Sequence, residues 1–182
     1  MIGTAIQNIL DGKEGTKMND TIDTTVVANS HVRDTLKHKA EVGKGMTYMI
    51  TDLTKRAIEH DYSKFSDEEY PYFTEATDCL KGLTYGSPEY KASLNRIKPG
   101  INHHYEVNSH HPEFYENGIE GMCLIDLVEM VCDWYAACKR HDNGDIYKSI
   151  EVNKERFGIS DQLNSVIVNT VKSLEAKWEE NK

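Results

Sequence analysis

With 182 residues, 38% apolar content and a formal charge of −9, the chain is sized for one domain around one core. The acidic balance argues against a nucleic-acid polymer as partner, because such a surface needs a basic stripe to replace phosphate counterions. No run approaches the roughly 18 apolar residues of a membrane span, and the N-terminus lacks the basic start and apolar core of a signal peptide, so a cytoplasmic address is expected. Four cysteines (Cys79, Cys123, Cys132, Cys138) show no CxxC spacing and read as small buried residues in a reducing compartment.

Residues 1–29 are rich in Gly, Thr, Asn and Asp without apolar periodicity and are expected to form a flexible arm ahead of a helical domain over 30–182. Ser30 is placed to cap a helix beginning near His31. From there His38, Val42, Met46, Met49, Leu53, Ala57 and His60 recur at the spacing of one helical face. An unbroken helix would hold His38 and His60 about 33 Å apart, so a break is expected at Gly43 and Gly45, where glycine is unfavourable to a helix interior by about 1 kcal/mol.

His60-Asp-Tyr-Ser-Lys-Phe65 closes this helix. Ser66-Asp-Glu-Glu69 fits a capping box opening a helix to about Leu80, perturbed by Pro71. Gly82 and Gly86 mark a turn, and Ser87-Pro88 opens a helix toward Ile97 that Pro99-Gly100 should interrupt. A short helix then carries His103 to about Ser109, and Pro112 disfavours helical geometry at His111. Residues 119–140 form a further helix with Met122, Ile125, Val128, Val131, Cys132 and Tyr135 on its apolar side. Asp126, Glu129 and Asp133 share another stripe of that helix. Asp142-Asn-Gly-Asp145 is a turn, Asp145 caps a helix that Gly158 ends, and Ser160 caps a last helix keeping Leu163, Val166, Ile167, Val171 and Leu174 inward. With no alternating strand pattern, the chain is expected to be all-α, a single bundle of about six or seven helices.

Imidazole and carboxylate together suit one or two divalent transition ions of the Mn, Fe, Co, Ni or Zn kind. Adjacent His60 and Asp61 point in different directions, which lets the carboxylate bridge two ions while the imidazole holds one. His103, His104, His110 and His111 place four imidazoles within nine residues of a chain with eight histidines. On a straight helix His104 and His111 fall on one side but about 10 Å apart, so they serve different ions unless the chain folds back before Pro112. His141-Asp142 repeats the dipeptide in a turn, so His60-Asp61 carries weight only with its company: an upstream His31 or His38, the histidine cluster, and a helical Asp126 or Asp133.

Those residues carry two resemblances. His60-Asp61-x-x-Lys64, His110-His111-x-Glu113 and Val131-Cys-Asp133-Trp-Tyr-Ala136 are similar to stretches of HD-domain phosphodiesterases. That likeness implies an HD-like helical domain, Asp133 rather than Asp126 as terminal ligand, and, through Leu36-Lys-His38 with Val42, His38 rather than His31 as first ligand. Residues from about 35 to 170 also resemble the DUF5662 family of uncharacterised phage and bacterial proteins, which would place the chain in a host cytoplasm if it is phage-borne. That likeness implies no established activity.

The function expected is that of a metal-dependent phosphohydrolase acting on a small phosphorylated molecule, most plausibly a nucleotide, with self-association left open. His38, His60, Asp61 and Asp133 would hold one ion and His104, His110 and His111 a second. Lys64 would neutralise phosphate, Glu129 or Asp126 would handle a proton or orient a ligand, and Arg140 and Arg156 would contact phosphate. The alternatives are a di-iron oxygenase, because the His/Asp cage in an HD-like bundle resembles that class too, and a non-catalytic helical protein with a structural metal site.

Overall fold

The computed structural model describes residues 30–80, 88–140 and 144–179. The arm expected over 1–29, the turn at Gly82 and Gly86, the cap at Ser87 and most of the His141-Asp142 turn lie outside them. Six α-helices follow in order: α1 (Ser30–Glu59), α2 (Tyr70–Leu80), α3 (Pro88–Val107), α4 (Leu124–Cys138), α5 (Ile146–Phe157) and α6 (Asp161–Glu179). Among the described residues no strand occurs and no helix is long and apolar enough to cross a membrane. The chain is all-α, as its periodicity implies.

By its contacts the chain divides after Tyr48, within α1. In the first unit the described residues are one helical stretch whose Leu36, Val42 and Met46 are exposed. The helix continues through Gly43 and Gly45, so the expected break is absent. Glycine penalises helical geometry without forbidding it, and a Cβ at either position would meet nothing, so no neighbour demands a bend.

The second unit, Met49–Lys182, holds the core. Met130, Val131 and Tyr135 of α4 pack with Ile146 and Ile150 of α5, with Ile159, and with Ile167 and Val171 of α6. Burying each large aliphatic chain contributes about 1.5–3 kcal/mol. Asp145 caps α5, accepting from the amides of Tyr147 at 3.0 Å and Lys148 at 3.2 Å. Gly158 ends it in left-handed geometry at φ 63°, which glycine adopts without steric penalty. Ser160 Oγ accepts the Leu163 amide at 3.3 Å at the start of α6.

Several local expectations are corrected by packing. α3 runs through Pro99 and Gly100 to Val107, joining two expected helices into one. Gly100 lies against α2 so closely that a Cβ would sit 2.6 Å from Tyr72 Cβ; the glycine permits a helix crossing rather than marking a break. Pro71 is the second residue of α2, where its missing amide disturbs nothing. The expected box at Ser66 does not form: a 3₁₀ turn spans Tyr62–Phe65, α2 starts at Tyr70, and the Glu69 side chain is used elsewhere. α4 starts at Leu124, after a 3₁₀ turn at Gly118–Gly121. Val128 and Cys132 of its expected inward side are exposed, as is Val166 of α6, while Met130 takes the central place. Cys123 and Cys132 are exposed free thiols rather than buried ones, and Cys138 is half-buried.

Candidate metal centre

Three segments of the second unit build the site: the α1 exit with the turn after it, the C-terminal end of α3 with the loop to Pro112, and one face of α4. At the α1 exit Asp61 adopts φ 58°, ψ 16°, and it has the only positive φ among described non-glycine residues. Left-handed backbone is unfavourable for most side chains but tolerated by Asp. The reversal directs His60 and Asp61 into one space from adjacent positions, and Lys64 Nζ closes the turn on Asp61 Oδ2 at 2.5 Å.

The two oxygens of Asp61 face different partners. Oδ1 lies 3.2 Å from His104 Nε2 and 3.4 Å from His110 Nε2, and His111 completes a group of four side chains whose donor atoms are mutually within 4.8 Å. Oδ2 lies 3.5 Å from His60 Nε2, which is itself 3.7 Å from Asp133 Oδ1; these three form a second such group. Asp61 Oδ1, His110 Nε2 and His111 Nε2 are buried without hydrogen-bond partners. Buried polar atoms are seldom left so, and three converging orphans on imidazole and carboxylate suit a cation.

The outward nitrogens are held by a second set of carboxylates, an arrangement typical of metal-binding histidines. His60 Nδ1 and His110 Nδ1 lie 2.9 Å and 3.3 Å from Glu129 Oε1. His104 Nδ1 lies 2.9 Å from Glu69 Oε2, whose other oxygen takes His103 Nδ1 at 2.9 Å. Asn108, at the end of α3, donates to Ser63 Oγ and to the His104 carbonyl, each at 2.8 Å. The loop after Asn108 folds His110 and His111 back, with ring centroids 4.2 Å apart.

Electrostatics follow this packing. Asp133 first and then Glu129 raise the His60 pKa to about 10. Burial opposes a charge on His110, but its contacts with Asp61 and Glu129 prevail and raise its pKa. Burial, and then His110 and His104, push His111 down to about 3. Burial works against charge on Asp61, yet His104, His110 and Lys64 hold its pKa well below the usual carboxylate range. Burial likewise opposes ionisation of Asp133, and the contact with His60 overcomes it.

Of the stripe on α4, Asp133 groups with His60 and Asp61, Glu129 groups with His60 and His110, and Asp126 joins no such group among the described residues. Glu129 orients imidazoles, and Asp126, 2% exposed, is a structural hub. It accepts from Arg56 Nη1 at 2.7 Å, Ser109 Oγ at 2.8 Å, Tyr115 OH at 2.8 Å and the Cys123 amide at 2.9 Å. Arg56, which the sequence did not single out, also reaches Glu129 Oε2 at 3.1 Å and ties α1 to both carboxylates. Glu69 was missed as a site residue because its local pattern fits a cap. The only hint in the sequence is a glutamate that sits ahead of a helix without being needed there.

His38 is exposed in the first unit, the helix that carries it continues through Gly43 and Gly45 without the expected break, and no donor grouping among the described residues includes it. His103 stands outside the groupings, on Glu69. Arg140 is exposed and borders neither cavity at the centre, and Arg156 is engaged by Glu113 at 2.7 Å and Tyr105 OH at 3.5 Å.

Two cavities meet at Asp133. One of about 400 Å³ runs past His60 between α1 and α4. The other, about 290 Å³, lies beside Lys64, His104 and His111 with Phe73 and Tyr105 in its wall.

No curated protein and no solved structure matches the chain. A family model matches residues 27–176, a span that includes every side chain of the centre, and the chain belongs to that family, DUF5662, a family of unknown function.

Proposed function

We propose that this chain is a metal-dependent phosphohydrolase that cleaves a small phosphorylated molecule by attack of activated water on phosphorus. The observation that carries the reading is Asp61, whose two oxygens face separate ligand sets, one with His104, His110 and His111 and one with His60 and Asp133. The first set offers three imidazoles and a carboxylate, suited to an ion such as Zn²⁺, Fe²⁺ or Co²⁺; the second, with two carboxylates, suits a harder one such as Mn²⁺. Bound divalent ions supply water activation near neutral pH and neutralisation of phosphoryl charge.

The chain's own residues do the rest. Glu129 and Glu69 hold the imidazoles in the tautomer that leaves Nε2 available. Asp133, His60 and Lys64 are all less than fully buried, so substrate can reach them. Lys64 shares the Asp61 oxygen that faces His60, and it is placed to turn to a phosphoryl oxygen when that carboxylate is otherwise engaged. Cavities on both sides of Asp133 argue against a closed, purely structural site.

The test is a phosphate-release screen with protein loaded in turn with Mn²⁺, Co²⁺, Ni²⁺ and Zn²⁺, alongside oxygen uptake with Fe²⁺. Release of phosphate that His60→Ala abolishes is expected. Oxygen consumption without phosphate release would replace this reading with the oxygenase one.

A further inference from the structure

The 400 Å³ cavity is a trough, and its chemistry narrows the substrate. Leu53 and Ala57 of α1 form one wall, and Val128, Cys132 and Ala136 of α4 the other. The spacings are four residues on α1 and four and eight on α4, so each wall is one helical stripe, about 12 Å long on α4 at 1.5 Å per residue. The volume lies at the small end of the roughly 300–1,000 Å³ typical of small-molecule sites. Val128, 38% exposed, and Cys132 have the apolar character of core residues but face this trough instead of the core. At one edge stand His60 and Asp133, which with Asp61 form a group of only three protein donors.

The trough offers nothing that reads a nucleobase. No phenylalanine, tyrosine or tryptophan lines it, and its one imidazole, His60, belongs to the ligand group at its edge, so its walls provide no stacking surface. Its two further polar groups are already committed: Arg56 to Asp126, Glu129 and Ser109, and Glu129 to His60, His110 and Arg56. A base edge placed here would lose its hydrogen bonds to water without replacement, whereas a chain of methylenes would lose nothing.

We infer that the trough receives an aliphatic group of the substrate, so that the molecule cleaved is an alkyl phosphate ester rather than a nucleotide. The phosphoryl group lies at His60, Asp61 and Asp133, and the alkyl chain extends from it along Ala57 and Leu53 against Val128, Cys132 and Ala136. This rests on the metal-centre reading above and replaces the nucleotide expected from sequence with an alkyl ester.

The test separates the two readings. Binding of n-alkylphosphonates from methyl to octyl to Co²⁺-loaded protein is measured by calorimetry, and phosphate release from the matching n-alkyl phosphates and from nucleoside monophosphates is measured in parallel. The expected dissociation constant falls about fourfold per methylene until the trough is filled, the value for burying one methylene. Val128→Phe and Ala136→Phe, both at exposed positions, should end that gain at shorter chains while metal content stays unchanged. A dissociation constant independent of chain length overturns the inference, as does a nucleotide preference that survives both variants. So does a change in oligomeric state in the variants with no change in binding, which would make the trough a contact between copies. Chain-length-dependent binding without any phosphate release would instead uphold the trough and refute the hydrolase.

Discussion

Glu69→Gln distinguishes a metal-orienting carboxylate from a helix cap. Glu69 is fully buried at 0% exposure, and its two oxygens each take an imidazole Nδ1, from His103 and His104, at 2.9 Å. Glutamine serves the third position of a capping box as well as glutamate does, so a capping role predicts almost no change. In the orienting role the amide offers only one acceptor, and its NH₂ faces an imidazole N–H or forces the wrong tautomer, turning Nε2 of His104 from acceptor to donor. Loss of such an outer partner typically weakens metal binding 10–100-fold, or about 1.4–2.7 kcal/mol. The assay is competition with a chromophoric chelator for Co²⁺ or Zn²⁺, with helical content measured alongside. Unchanged affinity in a folded variant would refute the role given to Glu69 and the assignment of His104 as ligand.

Metal binding should release protons, because in the metal-free protein His60 holds its proton up to about pH 10 and His110 is shifted in the same direction. Calorimetry at pH 7.5 in buffers of different ionisation enthalpy should report at least about one proton released, that of His60, and a value near zero would contradict the site. Since the His60 value is raised from 6.5 to about 10, its contribution to metal-free stability is complete below about pH 6.5 and fades as pH rises through 10. Urea midpoints should therefore decline over that interval and decline less in His60→Gln. Gly100→Ala forces a Cβ within 2.6 Å of Tyr72 Cβ and should destabilise by about 1–3 kcal/mol, read as a lower urea midpoint with metal present. Arg56→Met leaves Asp126 and Glu129 without their shared cation. Because Arg56 keeps about a quarter of its side chain in solvent, the loss should stay below the roughly 3–5 kcal/mol of a fully buried pair, and an unchanged midpoint would refute its role.

What the sequence made legible followed from residue chemistry that has few other uses. Four imidazoles around residue 107, a His-Asp pair and a helical carboxylate at 133 are uncommon company, and six of the seven proposed ligands converge: His60, Asp61, His104, His110, His111 and Asp133. The exception, His38, depended on a bend at two glycines that the rest of the chain does not require. Glu69 and Arg56 were hidden because each satisfies a local pattern, a capping box and a charged helix face, and only packing of distant helices gives them another role. Pro99-Gly100 misled for the same reason: the pair reads as a breaker locally, while Gly100 is set by the approach of Tyr72. Val128 and Cys132 show the converse, apolar residues at core spacing that line a cavity.

The central claim is that Asp61 joins two ligand sets, and counting ions tests it most directly. Elemental analysis after saturation with Co²⁺ and desalting should give about two ions per chain, about one in Asp133→Ala, and fewer than one in Asp61→Gly, a variant that suits the left-handed backbone at this position. Equal metal content in wild type and Asp61→Gly would contradict the account.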